Sequence, residues 1–341
     1  MDYRQSGVDI DAGNETVRRI KAMARGTFTP DVLSDIGSFG GLFALRTDTF
    51  REPVLVSSAD GVGTKLKVAF MTGRHDTIGT DLVNHCVNDI LVQGARPLFF
   101  LDYLATGRLR PDVAEQVVAG VAEGCRANGC ALLGGETAEM PGFYGDGEYD
   151  IAGFIVGVVE REHICDGRSI VPDDVLIGLP SSGLHTNGYS LARRVLFEHC
   201  GLTVESPVPG SDQTLGDSLL AVHRSYLAPV GRLLDDGLVK GMAHITGGGI
   251  TENLPRTLPD GCGALVRPDS WTIPPIFGLI EREGGIERSE MFRAFNMGVG
   301  WVIVCAAGVS AKVLEALHEA GESRAAMIGE VIRGEHSVTY R

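Results

Sequence analysis

The sequence predicts a mixed α/β protein with two domains. Short apolar runs alternate with segments of helical period through most of the chain, which is the pattern of α/β architecture. A length of 341 residues corresponds to about two domains. Glycine supplies 46 of these residues, about twice the usual share of ~7%. We therefore expect many tight turns, or places where the backbone comes close to a ligand.

In the first half, strands are predicted where β-branched and aromatic residues cluster, and helices where apolar residues recur every three or four positions. Pro111 favours a helix start, and Gly129 favours its end. The predicted order is strand 53–58, helix 76–94, strand 98–101, helix 111–128, strand 130–133 and strand 151–159.

The second half continues the alternation after a polar, turn-rich run at 160–173. We therefore expect one domain over 1–168 and a second over 169–341. The predicted order is strand 175–179, a helix ending near 199, a long helix 215–236, a short helix before Pro259, a strand near Ala264, helix 273–283, strand 299–305, helix 310–320 and strand 326–332.

Charge and cysteine content exclude several classes of protein. With 44 acidic and 30 basic residues, the net charge is −14, which disfavours general binding of nucleic acid or anionic membranes. The chain begins without a signal-peptide pattern, and no apolar stretch approaches the ~20 residues of a membrane span. Seven cysteines without a CxxC motif favour reduced thiols. We expect a cytoplasmic protein.

The segment Asp60–Lys65 (DGVGTK) follows a predicted buried strand, where α/β proteins often bind ligands. Gly61 and Gly63 would let backbone N–H groups approach a phosphate beside Thr64, and Lys65 would add a positive charge. Asp60 would face a divalent cation. The alternative is a tight turn followed by a solvated lysine.

Polar residues also form a stripe on the otherwise apolar helix 76–94: Asp81, Asn84, His85, Asn88 and Asp89. We expect this stripe to face solvent, a partner or a ligand. Asp89 is the best candidate there for a metal ligand, whereas His85 is expected to be packed or hydrogen-bonded. Glu136 follows another predicted strand. If Asp60, Asp89 and Glu136 converge, their oxygen atoms would suit Mg²⁺.

A third segment, Ser181–Ser190 (SSGLHTNGYS), lies between a predicted strand and a helix. Its hydroxyl and N–H groups favour an anion such as phosphate, and His185 could donate a hydrogen bond or transfer a proton. The alternative is a capping segment, in which Thr186 or Asn187 satisfies the helix end. Gly247–Gly249 repeats this pattern before a short helix.

Together these segments resemble the aminoimidazole ribonucleotide synthetase (phosphoribosylformylglycinamidine cyclo-ligase) family. The DGVGTK segment alone is typical of a wider superfamily of ATP-using enzymes, whereas the opening segment and GGETAEMPG narrow the resemblance to this family. The similarity runs nearly end to end and includes GVDIDAGN at 7–14, DGVGTK at 60–65, HDTIG at 75–79, VND at 87–89, PLFFLDY at 97–103, GGETAEMP at 134–141, SSGLHTNGYS at 181–190, HITGGG at 244–249 and FNMGVG at 295–300.

The resemblance implies a two-domain fold in which the N-terminal domain binds ATP and pairs its sheet with that of a second subunit in a homodimer. The C-terminal domain, a mixed sheet with helices, would bind substrate. The implied reaction uses ATP and Mg²⁺. ATP phosphorylates the formyl oxygen of formylglycinamidine ribonucleotide, and the amidine nitrogen then closes the imidazole ring of aminoimidazole ribonucleotide, a step of purine biosynthesis.

The resemblance also implies a role for each of the candidate site residues. The nucleotide would contact Lys21, Asp60, Gly61, Gly63, Thr64 and Lys65; the metal would bind Asp60, Asp89 and Glu136; the substrate would contact Ser182, His185, Asn187 and Gly248; and Asp89 and His185 would be catalytic. The nearest alternative is another ATP-using enzyme of the superfamily, such as formylglycinamidine ribonucleotide synthase or thiamine-phosphate kinase. A nucleotide-binding module without catalysis is the alternative from a different class.

Overall fold

The computed structural model describes residues 7–46 and 48–341. It forms two compact units, of which the first comprises Met1–Ile90 and Ala95–Glu162 and the second Leu91–Gly94 and His163–Arg341. The main change of unit falls within the polar run 160–173. The predicted domain limits, 1–168 and 169–341, stay a prediction.

The first unit is built around one mixed sheet. Within the described residues its strand order is β1-β4-β2-β3; β4 is antiparallel to both of its neighbours, and β2 and β3 are parallel. The elements in chain order are α1 (Ile10–Arg25), β1 (Pro53–Gly61), α2 (Leu66–Thr72), α3 (Ile78–Leu91), β2 (Arg96–Thr106), α4 (Pro111–Ala127), β3 (Ala131–Glu139) and β4 (Tyr149–Glu160).

Glycines let α3 lie close to its neighbours. A Cβ on Gly79 of α3 would lie 2.1 Å from the Val117 carbonyl oxygen of α4, so the two helices touch backbone to backbone. A Cβ on Gly153 of β4 would lie 3.0 Å from Leu82 of α3. One face of the sheet is therefore buried beneath α3. These close contacts fix the distance between the sheet and the polar side chains of that helix.

The strands of this unit are longer than their apolar runs predict. Asp60 and Gly61 are the last residues of β1, and the segment 134–139 belongs to β3. Both segments were expected to be loops that follow strands. Hydrogen bonding to neighbouring strands continues through these polar and glycine-rich residues, and hydrophobic periodicity cannot show this.

The second unit contains a larger sheet, whose described strands have the order β10-β7-β9-β5-β8-β6. Only β10 and β7 pair in parallel among the described pairings of this sheet. Its elements in chain order are β5 (Val175–Pro180), α5 (Tyr189–Arg193), α6 (Leu215–Leu220), α7 (Leu227–Asp235), β6 (Gly241–His244), α8 (Gly249–Asn253), β7 (Cys262–Val266), α9 (Pro275–Gly284), α10 (Arg288–Ala294), β8 (Val299–Cys305), α11 (Ser310–Glu319), β9 (Ala326–Arg333) and β10 (Val338–Tyr340).

This sheet is buried on both faces. On β8, Val302 and Val304 belong to one apolar cluster, whereas Trp301, Ile303 and Cys305 belong to another. Successive side chains of a strand point to opposite faces, so each cluster covers one face. This explains why 299–305 is apolar throughout instead of alternating.

The long helix predicted over 215–236 is wrong. The chain forms α6 and α7 instead, separated by six residues without helical structure, 221–226. Bonds to distant residues hold this connecting segment. The Tyr226 hydroxyl donates to the Pro180 carbonyl oxygen at 2.9 Å, and the Ser182 hydroxyl donates to the carbonyl of Val222.

Two further features concern the whole chain. All seven cysteines are free; five are buried, whereas Cys165 and Cys200 are half-buried. No helix in the described ranges combines the length and the apolarity that crossing a bilayer requires.

Candidate active site

The polar stripe of α3 is mostly buried in the interior of the first unit. The expectation that it faces solvent, a partner or a ligand is therefore wrong for most of its length, and only Asp89 is partly exposed. Asp81, Asn84, His85 and Asn88 are all buried, whereas Asp89 is partly exposed. Asn84 accepts a hydrogen bond from Asn128 at 2.8 Å. The stripe is therefore a buried polar network whose C-terminal end reaches the surface.

At that end, two carboxylates flank one imidazole. His85 Nε2 lies 2.9 Å from Asp60 Oδ2 of β1 and 3.8 Å from Asp89 Oδ2 of its own helix. Ser58 donates a hydrogen bond to Asp89 Oδ2 at 3.0 Å. Burial alone would lower the pKa of His85, but the hydrogen bond to Asp60 and the charge of Asp89 together raise it above its ordinary value. As expected, His85 is a packed, hydrogen-bonded residue.

The side chains of Asp60 and Asp89 are 45% and 25% exposed, so both carboxylates remain accessible. Mg²⁺ in nucleotide sites is commonly held by one or two carboxylates together with phosphate oxygens. This donor set fits such an ion.

Glu136 does not join the two aspartates within this chain. Asp60, Gly153, Asp102 and Gly135 are paired in one row across the four strands, so Glu136 is three strands away from Asp60. Because side chains alternate along a strand, it also projects from the opposite face. The expected convergence of three carboxylates is not met, and the role of Glu136 as a metal ligand stays a prediction.

Lys65 forms a buried ion pair. Its ammonium group lies 2.9 Å from Asp81, and both side chains are fully buried. Burial lowers the pKa of Lys65, and the Asp81 carboxylate only partly offsets this effect. The structure thus gives Lys65 an interior partner, and its direct contact with phosphate stays a prediction.

The residues between Asp60 and Lys65 form an accessible backbone turn. The Gly61 N–H group donates to Asp60 Oδ1 at 2.7 Å. Gly63, at φ +62°, turns the chain into a short 3₁₀ segment, and it is exposed together with Thr64. Such a turn can present N–H groups to an anion.

A cleft of the first unit brings together the opening segment and the end of β3. It encloses about 860 Å³ of space open to solvent and is lined in part by Asp9, Arg108, Glu139 and Pro141. Glu139 accepts hydrogen bonds from the backbone N–H groups of Asp9 at 2.6 Å and of Leu109 at 2.7 Å.

Lys21, on α1, lies 3.1 Å from Asp35. Its role toward a nucleotide stays a prediction.

In the second unit, Ser181–Ser190, called here the histidine loop, follows β5. His185 is fully buried and has a left-handed backbone, at φ +62°. The backbone N–H of Ser182 donates to His185 Nε2 at 3.3 Å. Asn296 anchors the loop by donating to the Gly183 carbonyl at 2.9 Å and lying 3.0 Å from the Ser181 hydroxyl.

Thr246–Gly249, called here the glycine loop, is adjacent to the histidine loop. A Cβ on Gly247 would lie 3.3 Å from Asn187 Oδ1. Gly248 has a φ of +97°, where L side chains are strained. Asn253 donates to the carbonyls of Gly247 and Gly249 at 3.0 and 2.8 Å. The buried Asn187 Nδ2 atom has no hydrogen-bond partner among the described residues.

Three asparagine or glutamate residues that hold these segments were not predicted: Glu139, Asn253 and Asn296. Glu139 and Asn296 lie in the motifs GGETAEMP and FNMGVG. These motifs indicated segments close to a site, but they did not predict that these two side chains hold the segments in place. Except for the Ser181 hydroxyl that Asn296 contacts, the partners described above are backbone groups, which no side-chain pattern reveals.

Comparison with known proteins identifies both units. Residues 44–159 match the family model "AIR synthase related protein, N-terminal domain", and residues 171–341 match the corresponding C-terminal domain. A phosphoribosylformylglycinamidine cyclo-ligase from Trichlorobacter lovleyi is 57% identical over 329 residues, which cover 96% of this chain and 94% of the relative. The enzyme of that name from Syntrophotalea carbinolica is 55% identical, covering 99% and 98%.

Solved structures share the fold at lower identity. Thiamine-monophosphate kinase from Stenotrophomonas maltophilia superposes with a TM-score of 0.67 at 19% identity, covering 96% of this chain and 95% of the kinase. A hydrogenase maturation protein HypE in complex with ATP gives 0.69 at 20% identity, covering 95% and 90%. These likenesses confirm the predicted mixed α/β fold, and the full-length relatives do not favour the alternative enzymes. The chain therefore belongs to the phosphoribosylformylglycinamidine cyclo-ligase family.

Proposed function

We propose that this protein catalyses the ATP-dependent ring closure of formylglycinamidine ribonucleotide to aminoimidazole ribonucleotide, with release of ADP and phosphate. The observation that carries the proposal is similarity of 55–57% identity over nearly the whole chain to enzymes of that name. The reaction needs one site that holds a nucleotide triphosphate and another that orients a phosphorylated substrate for attack by its own amidine nitrogen.

The Asp60–Asp89 pair supports the nucleotide site. These two carboxylates would hold Mg²⁺, which supplies charge neutralisation for the triphosphate when it is bound. Asp89 would act in catalysis through that ion. The accessible backbone at Gly61, Gly63 and Thr64 would receive phosphate oxygens, and a solved structure of the same fold is described as a complex with ATP.

The histidine loop and the glycine loop support the substrate site. The side-chain amide of Asn187 has an unsatisfied donor beside Gly247, and a buried donor without a partner is costly unless a ligand completes it. We assign contacts with the ribonucleotide to Ser182, His185, Asn187 and Gly248. Orienting the amidine nitrogen against the activated carbon supplies much of the catalysis in an intramolecular attack.

A proton must leave the amidine nitrogen as the ring closes. A neutral histidine accepts a proton at whichever ring nitrogen carries none. His185 is our candidate for a hydrogen bond to the substrate or for this step, in which its Nε2 would have to release the Ser182 N–H group.

A homodimer formed through the sheet of the first unit is the third part of the proposal. Leu55 on β1 and Phe154 on β4 are 59% and 45% exposed. The register of the two strands puts them on the same face, the one opposite α3. Exposed apolar side chains grouped on one sheet face favour association with a second subunit.

The test is to incubate the purified protein with formylglycinamidine ribonucleotide, ATP and Mg²⁺ and to analyse the products by mass spectrometry. We expect equal amounts of ADP and a product lighter than the substrate by one water molecule. A product heavier by a phosphoryl group would indicate a kinase instead. Absence of substrate-dependent ADP would indicate a binding module.

A further inference from the structure

Three buried histidines from separate segments meet beside the two loops of the second unit. His185 lies in the histidine loop, His223 in the segment 221–226 and His244 at the end of β6; they are 0%, 0% and 6% exposed. His223 Nε2 lies 3.0 Å from His244 Nε2, and the Thr186 hydroxyl lies 3.2 Å from His223 Nδ1. The rings of His185 and His223 stack, with centroids 4.0 Å apart and planes 16° apart.

The geometry is that of a hydrogen-bonded group and not of a metal centre. Nitrogen atoms of these rings lie within 4.8 Å of one another, near enough to suggest a metal ion. However, an imidazole binds a metal through an in-plane lone pair, so the ion must lie in the plane of every ring that ligates it. Two nearly parallel rings 4.0 Å apart cannot meet that condition.

The contact between His223 and His244 constrains where protons lie. A hydrogen bond between two Nε2 atoms contains one hydrogen, carried by either ring. When His223 carries it, Nε2 of a neutral His244 is the acceptor and its own hydrogen is on Nδ1. When His244 carries it, Nδ1 of His244 has the lone pair. The tautomers of the two rings are therefore coupled.

His185 is held by its own set of contacts. Because a backbone N–H can only donate, its bond from Ser182 requires a lone pair on His185 Nε2. A Cβ on Gly300 would lie 2.4 Å from His185 Cε1, so this glycine leaves the space that the ring occupies. The stacked ring of His223 provides a further contact.

We propose that His223 is a positioning residue for the substrate loops: it fixes the tautomer of His244 through the shared hydrogen. The proposal rests on the proposed function. In the ring closure, the proton released by the amidine nitrogen passes to a ring nitrogen that carries none. On His185 that nitrogen is Nε2, which accepts the Ser182 N–H; on His244 the tautomer decides which nitrogen it is. His223 thus acts through its neighbours and not on the substrate.

The experiment compares two variants that both lose the stacked ring of His223 but each keep a different one of its two hydrogen bonds. The amide of His223→Gln places a hydrogen-bonding group near the former Nε2 and keeps the bond to His244. The amide of His223→Asn replaces Nδ1 and keeps only the bond to Thr186. We expect His223→Asn to lower kcat about tenfold or more with KM changed less than roughly threefold, and His223→Gln to retain most of kcat.

The second readout does not depend on turnover. Nitrogen NMR of protein labelled with ¹⁵N-histidine reports the tautomer of each ring, and we expect His244 to change its tautomer distribution in His223→Asn but not in the control His199→Gln, an exposed site. If His223→Asn does not fold, His223→Phe, which keeps an aromatic ring in the stack and loses both hydrogen bonds, takes its place in both assays.

An unchanged His244 tautomer, or equal kcat losses in the Gln and Asn variants, would overturn the positioning role. If the wild-type protein does not close the ring at all, the proposed function fails. The NMR comparison still decides whether His223 fixes the tautomer of His244.

Discussion

The imidazole of His85 lies between the carboxylates of Asp60 and Asp89. Both carboxylates are therefore held at the accessible end of the buried polar network of α3. We expect Asp60→Asn and Asp89→Asn to lower kcat about 100-fold or more, because each removes a charge that the proposed function places at the Mg²⁺–nucleotide site. Asparagine keeps an oxygen that can accept a hydrogen bond, so Tm should fall by only a few degrees.

Initial rates measured against Mg²⁺ concentration would also show a higher requirement for the metal in both variants. Asp212→Asn, at an exposed position of the second unit, is the matched control. Loss of Tm in proportion to loss of turnover would instead assign these carboxylates to folding.

The Lys65–Asp81 ion pair makes a stability prediction. Removing one member of a buried pair leaves the other uncompensated, so Lys65→Met should lower the free energy of unfolding by about 3–5 kcal/mol. The double variant Lys65→Met/Asp81→Leu should recover at least half of that loss, because neither charge then remains. Urea unfolding of the wild-type protein, Lys65→Met, Asp81→Leu and the double variant measures the coupling, and additive losses would contradict it.

Asp102 makes a prediction about pH. It is buried in the core of the first unit, and burial raises its pKa to about 7, against about 3.9 in an unfolded chain. Between these values the folded protein binds the proton more tightly, so the group lowers stability increasingly as pH rises from about 4 to 7 and by a constant amount above 7.

Asp102→Asn should therefore raise the free energy of unfolding at pH 8 by up to a few kcal/mol, and by much less at pH 5. Chemical unfolding at the two pH values measures this, with Asp212→Asn as the exposed control. An equal effect at both pH values would show that Asp102 does not titrate in this range.

At the scale of elements, the crossing of α3 and α4 depends on glycine. A Cβ on Gly79 would lie 2.1 Å from a backbone oxygen of α4, which has no room to move. Gly79→Ala should cost about 1–3 kcal/mol or more and should lower kcat, because α3 carries His85 and Asp89.

Gly278→Ala, on the exposed side of α9, is the matched control, since a Cβ there meets nothing within 4 Å. Higher helix propensity should stabilise that variant by about 0.5–1 kcal/mol. Thermal unfolding and activity of both variants test the pair, and wild-type stability in Gly79→Ala would contradict the close contact.

Regular elements could be predicted from the sequence wherever local pattern decides. The period of apolar residues predicted α3, and Pro111 is the first residue of α4 as expected. The break after α6 could not be predicted, because Tyr226 and Val222 are fixed by partners 46 and 40 residues away in the chain.

For the candidate site too, the sequence predicted what local motifs determine and not what depends on distant contacts. The motifs pointed to Asp60 and Asp89, which do converge, and to the histidine loop. They could not show that Glu136 lies inside β3, where alternation turns it to the other face. Nor could they show that Lys65 has a buried partner, because that depends on how α3 packs.

At the scale of the whole molecule, the proposed dimer gives the clearest test. Phe154→Glu places a charge on the apolar sheet face and should shift the protein from dimer to monomer in sedimentation equilibrium. Met71→Glu, which changes another exposed apolar residue of the same unit on α2, should leave the dimer intact. A monomeric wild-type protein would contradict the proposed interface.

Reaction of the free, buried cysteines with an alkylating reagent would report local opening of the structure. Alkylating reagents attack the thiolate, and burial raises the pKa of Cys86 and Cys125 in the first unit and of Cys305 in the second. These thiols become reactive only when the surrounding core opens. Counting alkylated sites during gentle heating would therefore reveal which unit loosens first, without introducing any new cysteine.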